Sequence, residues 1–300
     1  MTYRKKLLRD WQLIALALPA VLYFIIFHYL PMAGVAIAFQ DFKPGLGLFT
    51  SDFVGLRWFK EFFSSVFFGR LISNTFQLSF FMLLFSFPIP IIFALMLNEL
   101  KSQKFKQTVQ TISFLPHFIS LVVVIGMLTN FLSPTGGIIN KLIGLFGHPP
   151  QAFMGDPEWF KPIYIISGVW QEFGWNSIVY IAAISSIKPQ LYEAAQIDGC
   201  SRFQQMLHIT LPGITPTMVT LLILALGNIM NVGFEKIILM YSPSTYSVAD
   251  VISTFVYRRG ILEIQYSYAA AVDLFNSVIN LCLLLAVNWF SRRRMGIGLF

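Results

Sequence analysis

The chain has 300 residues, of which 56% are hydrophobic and only 12% are charged, and its mean hydropathy is +0.68. A soluble domain carries about 25% charged residues, so this composition excludes a soluble protein, and 31 phenylalanines exclude a disordered one. Two cysteines, Cys200 and Cys282, are too few for a disulfide scaffold or a multi-cysteine metal site. The composition therefore predicts an integral membrane protein.

Long uncharged segments recur along the whole chain. A helix needs about 20 apolar residues to cross the hydrocarbon core of a bilayer, and six segments are long enough, one of them interrupted only by Glu172. The first runs through Phe39, about twice the length of the apolar part of a signal peptide, so we expect it to be retained. We expect an all-α protein forming one transmembrane domain, 1–300, with transmembrane helices at about 13–39, 76–97, 112–132, 162–186, 214–233 and 268–290.

Basic residues are distributed unevenly between the segments that connect these helices. Twelve basic and four acidic residues lie in one set of segments, and nine basic and ten acidic residues lie in the rest of the chain. Lysine and arginine are enriched in cytoplasmic loops, so we expect the first set, which includes both chain termini, to be cytoplasmic. That set comprises 1–12, 98–111, 187–213 and 291–300. The net charge of +7 then indicates topology and contact with anionic lipid, and no nucleic-acid binding.

The first predicted external connection contains an aromatic segment, Phe53–Phe68, that also carries Arg57, Lys60 and Glu61. Such a mixture of aromatic and charged residues is typical of a helix that lies along the membrane surface. The alternative is a simple hydrophobic connector.

The sequence contains no signature of a catalytic or metal site. It has no GxxxxGK[ST] phosphate loop, no HExxH zinc motif and no GxSxG nucleophile turn. Its four histidines, scattered without metal-ligand spacing, are interpreted as packed or solvated: His28, His117, His148 and His208. We therefore expect a chain without enzymatic activity, cofactor or metal. An intramembrane hydrolase or a lipid-linked transferase is an alternative that no motif supports.

The segment from Lys188 to Gly213 predicts two short helices joined at a glycine. Pro189 suits the first position of a helix, Gly199 can adopt the left-handed conformation that ends one, and Ser201 with Gln204 predicts a capping box. Pro212 and Pro216 then mark the return of the chain to the membrane. Four residues at helical spacing are expected to share one face of the first helix: Leu191, Ala194, Ala195 and Asp198.

This elbow of two helices joined at a glycine, residues 188–213, resembles the EAA signature of ABC importer permeases at every fixed position of that signature. Seven matches at about 5–10% each have a chance probability on the order of 10⁻⁸ per window. The matching residues are Glu193, Ala194, Ala195, Gly199, Ile209, Leu211 and Pro212. Four further segments resemble permeases of the carbohydrate-importer branch, specifically the polysaccharide-fragment subgroup: HYLPMAGVAIAFQDF, FVGLRWFKEFF, WQEFGWNSIVYIAAI and VNWFSRRR.

The resemblance implies a multi-pass permease of the cell membrane that imports oligosaccharides by alternating access. In that family the elbow, which here includes Asp198, is a coupling helix that enters a groove on a separate ATPase. The implied partners are a second, homologous permease, two cytoplasmic ATPase subunits that bind ATP and Mg, and an extracellular solute-binding protein. The alternatives are an importer of peptides or osmolytes and an ion-coupled secondary carrier.

Polar residues inside the last three predicted spans are candidates for the substrate pathway, because ionisable and polar groups within a membrane are costly. Carbohydrate binding needs carboxylates and amides for the hydroxyl groups and aromatic faces for the C–H groups. The alternative is that the asparagines bond neighbouring helices and that the carboxylates pair with a base of a partner subunit. The candidates are Trp170, Glu172, Trp175, Asn176, Asn228, Asn231, Asp273, Asn276 and Asn280, with Ser277 completing the stripe on the last span.

Overall fold

A computed structural model describes residues 11–48, 50–296 and 298, without the side chains of Arg294 and Met295. Four basic residues of the expected cytoplasmic segment 1–12 lie outside the described residues: Arg4, Lys5, Lys6 and Arg9. Helices make up most of the described chain. They are α1 (Trp11–Phe39), α2 (Arg57–Ser64), α3 (Phe68–Asn98), α4 (Gln103–Phe118), α5 (Leu121–Phe131), α6 (Ile138–Leu145), α7 (Pro157–Ser185), α8 (Pro189–Ile197), α9 (Arg202–Gly227), α10 (Phe234–Met240), α11 (Tyr246–Ala249), α12 (Ile252–Tyr257) and α13 (Tyr266–Met295).

The chain divides into two compact units by its internal contacts. The first unit comprises Met1–Ser65 and Val256–Phe275. Its two short strands, β1 (Gln40–Asp41) and β2 (Asp52–Phe53), pair antiparallel. The helix α2 forms within the predicted surface segment and buries Phe62, whose ring meets Phe275 at a centroid distance of 5.6 Å.

The N-terminal helix α1 exposes nearly all of its apolar side chains. None of its residues is buried until Ala38. An apolar helix without a buried face is stable only when lipid or another subunit covers it. Pro19 lies inside the helix without breaking it, as membrane helices tolerate.

The second unit comprises Val66–Phe255 and Asn276–Phe300. The most extensive contact between two helices of this unit is that of α7 with α3. One buried cluster joins the start of α7 to the segment that contains α10, and it includes Phe160, Tyr164 and Ile237. A second cluster joins α3, the end of α7 and α9 around Tyr180 and Ile214. The helix α7 is therefore the central element of this unit.

Four described helices are long and apolar enough to cross a membrane: α1, α3, α9 and α13. The pair α4 and α5 adds a fifth if it is one broken span. The described helices therefore include four or five apolar span candidates, whereas the sequence predicts six spans. The helix α7 contains the predicted fourth span and has 29 residues, but its polar residues, among them Gln171, Glu172 and Asn176, make it less apolar than these four helices.

Two predicted spans differ from the observed helices. The expected helix 112–132 is broken into α4 and α5, which meet at an angle of 96°. Pro116 lies in the last turn of α4, and the Ser120 side chain accepts a hydrogen bond from the Val123 amide to start α5. The expected fifth span, 214–233, instead begins within the elbow and ends at Gly227, because α9 continues through Pro212 and Pro216.

Candidate functional site

The elbow has the local geometry that its sequence predicts. The helix α8 ends beside Gly199, which has a φ of +76°. The Ser201 hydroxyl accepts a hydrogen bond from the Gln204 amide at 3.4 Å, and the Ser201 amide donates to Gln204 Oε1 at 2.7 Å. The predicted glycine turn and capping box are therefore confirmed. The second helix of the elbow is not a separate short helix, since it is the first part of α9.

Side-chain bonds hold the two arms of the elbow in place. The Tyr192 hydroxyl of α8 lies 2.9 Å from the Thr210 hydroxyl of α9. Arg202, at the start of α9, lies 3.7 Å from the Glu99 carboxylate, directly after α3. The helix α9 is continuous from the elbow to Gly227 and is long and apolar enough to cross a membrane, so no loop separates the elbow from this apolar helix.

A cavity of about 410 Å³ separates the two arms of the elbow. The predicted face of α8 lines this cavity together with Ile209, while Leu211 and Pro212 continue along α9. The residues of the signature that line it are Ala194, Ala195 and Ile209, and Asp198 lies beside them.

The outer surface of the elbow is both apolar and charged. Ile197 and Phe203 are 88% and 66% exposed. Glu193 is exposed and forms no ion pair with the residues that the structure describes. Large apolar side chains that remain exposed next to an unpaired carboxylate are typical of a surface that binds another protein.

The polar cluster of α7 contains a base that the sequence did not reveal. His117 Nδ1, at the end of α4, lies 3.0 Å from Glu172 Oε2. The His117 ring also stacks on Trp175, with the centroids 4.4 Å apart and the planes at 4°. A base for Glu172 therefore exists within this chain, whereas the sequence left open a base in a partner subunit. No spacing rule links residues 55 positions apart, so only the fold identifies this pair.

Three further candidates of α7 are exposed. Trp170 and Trp175 are 42% and 41% exposed, and Asn176 is exposed one turn beyond Glu172. The helix α7 thus presents two indole rings, an amide and a carboxylate outside the packed core.

The asparagines near α13 bond to each other. Asn231 Oδ1 accepts hydrogen bonds from Asn276 Nδ2 at 3.1 Å and from Asn280 Nδ2 at 3.2 Å, and Asn231 Nδ2 donates to Asn228 Oδ1 at 3.3 Å. Asn276 and Asn280 are buried, so their bonds serve the packing of α13. Asn228 and Asn231 lie in the turn after α9 and not on the helix expected there, because α9 ends at Gly227.

The polar stripe expected on α13 faces two ways. Asn276 and Asn280 are buried, whereas Asp273 and Ser277 are exposed. Asp273 forms no ion pair with any residue that the structure describes. The candidates of α13 therefore do not form one continuous polar surface.

A buried lysine, Lys236, is a second residue that sequence reasoning missed. Lys236 Nζ of α10 donates to the Tyr164 carbonyl of α7 at 2.9 Å and lies 4.8 Å from the Tyr164 ring. Burial lowers the pKa of Lys236 to about 8, while the Glu172 carboxylate raises it. Gly168 makes room for this lysine, since a Cβ there would lie 3.0 Å from Nζ.

The described residues contain no group of three or more His, Cys, Asp or Glu side chains that could hold a metal ion.

Comparisons with known proteins place the chain in a transport family. Residues 13–296 match the family described as binding-protein-dependent transport system inner membrane component. The chain is 42% identical to LplB of Bacillus subtilis (strain 168) over 300 residues, which cover 100% of this chain and 94% of LplB. It is also 42% identical to the polygalacturonan/rhamnogalacturonan transport system permease protein YteP of the same organism, with 96% and 90% of the two chains covered.

A solved structure agrees with these relatives. It is a bacterial alginate ABC transporter in complex with an alginate pentasaccharide-bound periplasmic protein, and one of its chains superposes with a TM-score of 0.91 at 46% identity, covering 99% of both chains. The chain therefore belongs to the inner membrane components of binding-protein-dependent transport systems, and it is a multi-pass membrane permease of an ABC importer for sugars or oligosaccharides.

Proposed function

We propose that this permease moves acidic oligosaccharides into the cytoplasm by alternating access, driven by ATP hydrolysis on a separate ATPase. The acidic character of the substrate is inferred from two similar proteins. YteP is named for polygalacturonan and rhamnogalacturonan, and the solved transporter imports the acidic polysaccharide alginate.

The elbow is the observation that carries this proposal. It combines an exposed carboxylate, Glu193, and exposed apolar side chains with a rigid glycine turn at Gly199. Its second arm is continuous with the long apolar helix α9. Motion of a bound ATPase would therefore pass directly into the membrane.

The proposed complex contains this chain, a second, homologous permease and two cytoplasmic ATPase subunits, with an extracellular solute-binding protein that delivers the substrate. ATP and Mg bind to the ATPase subunits, and this chain supplies no catalytic group and no cofactor. The exposed apolar surface of α1 supports contact with lipid or with another subunit.

The proposed topology has six spans with both termini in the cytoplasm. The helix α7 is the fourth span, although it is more polar than the others, and α4 with α5 form the broken third span. A polar span is tolerated where its polar side chains face a water-filled pathway. Accessibility of single cysteines tests this topology in a chain without Cys200 and Cys282: Arg202→Cys should react only in permeabilised cells, and Lys141→Cys should react in intact cells.

The proposed substrate pathway follows the exposed surface of α7. Trp175 offers the ring face that His117 does not cover for the C–H groups of a sugar, and Glu172 and Asn176 offer partners for its hydroxyl groups. Trp170, the other aromatic candidate, lines a separate cavity with Phe81 and Val169. The pair between Glu172 and His117 at 3.0 Å orients both side chains and moderates the negative charge that an acidic sugar would meet. The remaining candidates of the pathway are Asn228, Asn231 and Asp273, with Asn276 and Asn280 holding Asn231 in place.

Uptake by the reconstituted complex tests the proposal. Proteoliposomes would contain both permeases and the ATPase. ATP would be enclosed in the lumen, where it reaches the ATPase subunits that face inward. The solute-binding protein, loaded with a labelled oligouronide, would be added outside. We expect uptake that needs ATP and persists when ionophores collapse ion gradients. Uptake that continues without ATP and stops with ionophores would assign an ion-coupled carrier instead. Preference for a neutral oligosaccharide of equal length would contradict the acidic substrate.

A further inference from the structure

A cavity in the first unit is not part of the elbow or of the proposed pathway. It has a volume of about 290 Å³, and three separate parts of the chain form it: the β1 strand with the residue after it, the helix α2, and the segment that enters α13. Asp41 and Glu61 line it, together with Gln265 and the rings of Trp58 and Tyr266. All three parts belong to connections that the charge distribution assigns to the external side.

The walls of this cavity are fixed by their own hydrogen bonds and ring contacts. The Phe42 amide donates to Ser267 Oγ at 2.9 Å, and Trp58 Nε1 donates to the Gln40 carbonyl at 2.9 Å. The Trp58 ring meets the Tyr268 ring edge-on at 6.4 Å. The polar atoms of Ser267 and Trp58 are thus used to build the walls.

Two carboxylates, those of Asp41 and Glu61, are the acidic groups of the cavity. The Asp41 and Glu61 carboxylates form no ion pair with the described residues, and no basic residue lines the cavity. The nearby arginines are engaged elsewhere: Arg57 lies over the Trp58 ring at 4.8 Å, and Arg259 pairs with Glu263. The cavity therefore contains two carboxylates without an ion-pair partner among the described residues, beside aromatic rings.

This combination fits a cationic, planar donor better than a sugar. A guanidinium group forms paired hydrogen bonds with carboxylates and stacks on aromatic faces. A neutral sugar could donate hydroxyl hydrogen bonds to the two carboxylates but would not neutralise their charge, and an acidic oligosaccharide, the proposed substrate, would be repelled by them. Lysine could supply the charge, but its ammonium group lacks the flat surface that would stack on Trp58 or Tyr266.

We propose that this cavity receives an arginine side chain of the extracellular solute-binding protein when that protein docks on the permease. The inference rests on the proposed function, because it requires that such a protein delivers the substrate. Ile264 at the edge of the cavity is 65% exposed and is held at a φ of +59°. Its apolar side chain adds a rim contact around the charged group, as in interfaces where apolar groups exclude water from an ion pair.

The experiment measures docking on the complete complex in lipid nanodiscs. This chain carries Asp41→Asn, Glu61→Gln or both substitutions, and Asp52→Asn is the control. Asp52 is an exposed carboxylate on β2, opposite Asp41 in the strand pair, but it does not line the cavity. The probe is the sugar-loaded solute-binding protein of the proposed transport complex, whose Kd is measured at low and at physiological salt. Equal yield and equal Tm of all complexes establish that folding is unchanged.

We expect each single substitution to weaken docking several-fold and the double substitution to weaken it at least about tenfold, with a shallower salt dependence. The Asp52→Asn complex should bind like the wild type. A double variant that docks with wild-type affinity would overturn the inference while leaving the proposed function intact. Unchanged docking with altered sugar selectivity would also overturn it, because the cavity would then bind sugar. A wild-type complex that never binds the protein would overturn the proposed function as well.

Discussion

A Cβ atom on Gly174 of α7 would lie only 2.0 Å from the backbone oxygen of Ser113 in α4. The two helices therefore approach each other through backbone atoms, which cannot move aside as a flexible side chain can. Small residues allow such close approach between membrane helices. The contact lies one turn from His117 and beside Trp175, so it sets the distance between α4 and the polar cluster of α7.

The first prediction concerns this close approach. Gly174→Ala should push α4 from α7 and lower the free energy of unfolding by about 1–3 kcal/mol, which would appear as a lower Tm of the purified complex. Gly126→Ala is the matched control, because Gly126 also lies in a helix but a Cβ there meets nothing within 4 Å. Equal melting of the two variants would contradict the tight packing of α4 against α7.

The second prediction concerns the pair between Glu172 and His117. Glu172→Gln should lower the initial rate of uptake about tenfold. This factor corresponds to the loss of one hydrogen bond to a charged group, which contributes about 1.5 kcal/mol. Complex yield and docking of the solute-binding protein should stay unchanged, because the Glu172 side chain is 37% exposed and does not belong to the core. Ser185→Ala, at the exposed end of α7, is the control. A wild-type uptake rate in Glu172→Gln would exclude this residue from the pathway.

The local features of the elbow were predictable from the sequence, since they depend on neighbouring residues. Gly199 has the positive φ that its position after α8 suggests, and Ser201 with Gln204 forms the expected capping box. The signature around Glu193 also identified the family, which the comparisons confirm.

Features that depend on distant residues were not predictable. The bond between His117 and Glu172 joins two helices that only the fold brings together. The continuity of α9 was missed because Pro212 and Pro216 suggest a helix boundary, whereas both lie inside α9, where neighbouring groups can satisfy the freed carbonyls. The bend after Pro116 was missed because an apolar run alone does not show where a helix turns.

The third prediction separates packing from transport on α13. Asn276→Ala should remove the bond to Asn231 and lower complex yield, with a loss of about 0.6–1.7 kcal/mol, as for interhelical hydrogen bonds in membranes. Ser277→Ala, the exposed neighbour on the same helix, should have no effect on yield. If Asn276→Ala gave normal yield and Tm but slow uptake, the asparagine would belong to the pathway and not to the packing.

The fourth prediction concerns pH and Lys236, whose pKa falls from 10.5 to about 8 on folding because the side chain is buried. Between these values the unfolded chain binds more protons than the folded chain, so the contribution of Lys236 to stability rises with pH by about 1.4 kcal/mol per unit. The Tm of the wild type relative to Lys236→Met should therefore be constant below pH 8 and rise above it. A difference in Tm that is constant from pH 7 to 10 would contradict a buried, titrating lysine.

The last prediction concerns the elbow as the element that transmits ATPase motion. Gly199 has a φ of +76°, and a β-branched residue there costs about 1–2 kcal/mol and would tilt α8 against α9. Gly199→Val should therefore leave the permease in the membrane but reduce co-purification of the ATPase and its stimulation by the sugar-loaded solute-binding protein. Gly199→Asn is the matched control, because asparagine tolerates the left-handed conformation, so coupling should be largely retained.

Glu193→Lys tests the surface of the same elbow without straining its backbone. The residue is exposed in α8, so its replacement should leave Tm and assembly of the permeases unchanged while reversing the charge that meets the ATPase. We expect retention of the ATPase to fall in this variant as in Gly199→Val, whereas Lys188→Gln, which removes a charge directly before α8, should retain it. Full ATPase retention and stimulation in both Gly199→Val and Glu193→Lys would show that the elbow does not couple ATP hydrolysis to transport.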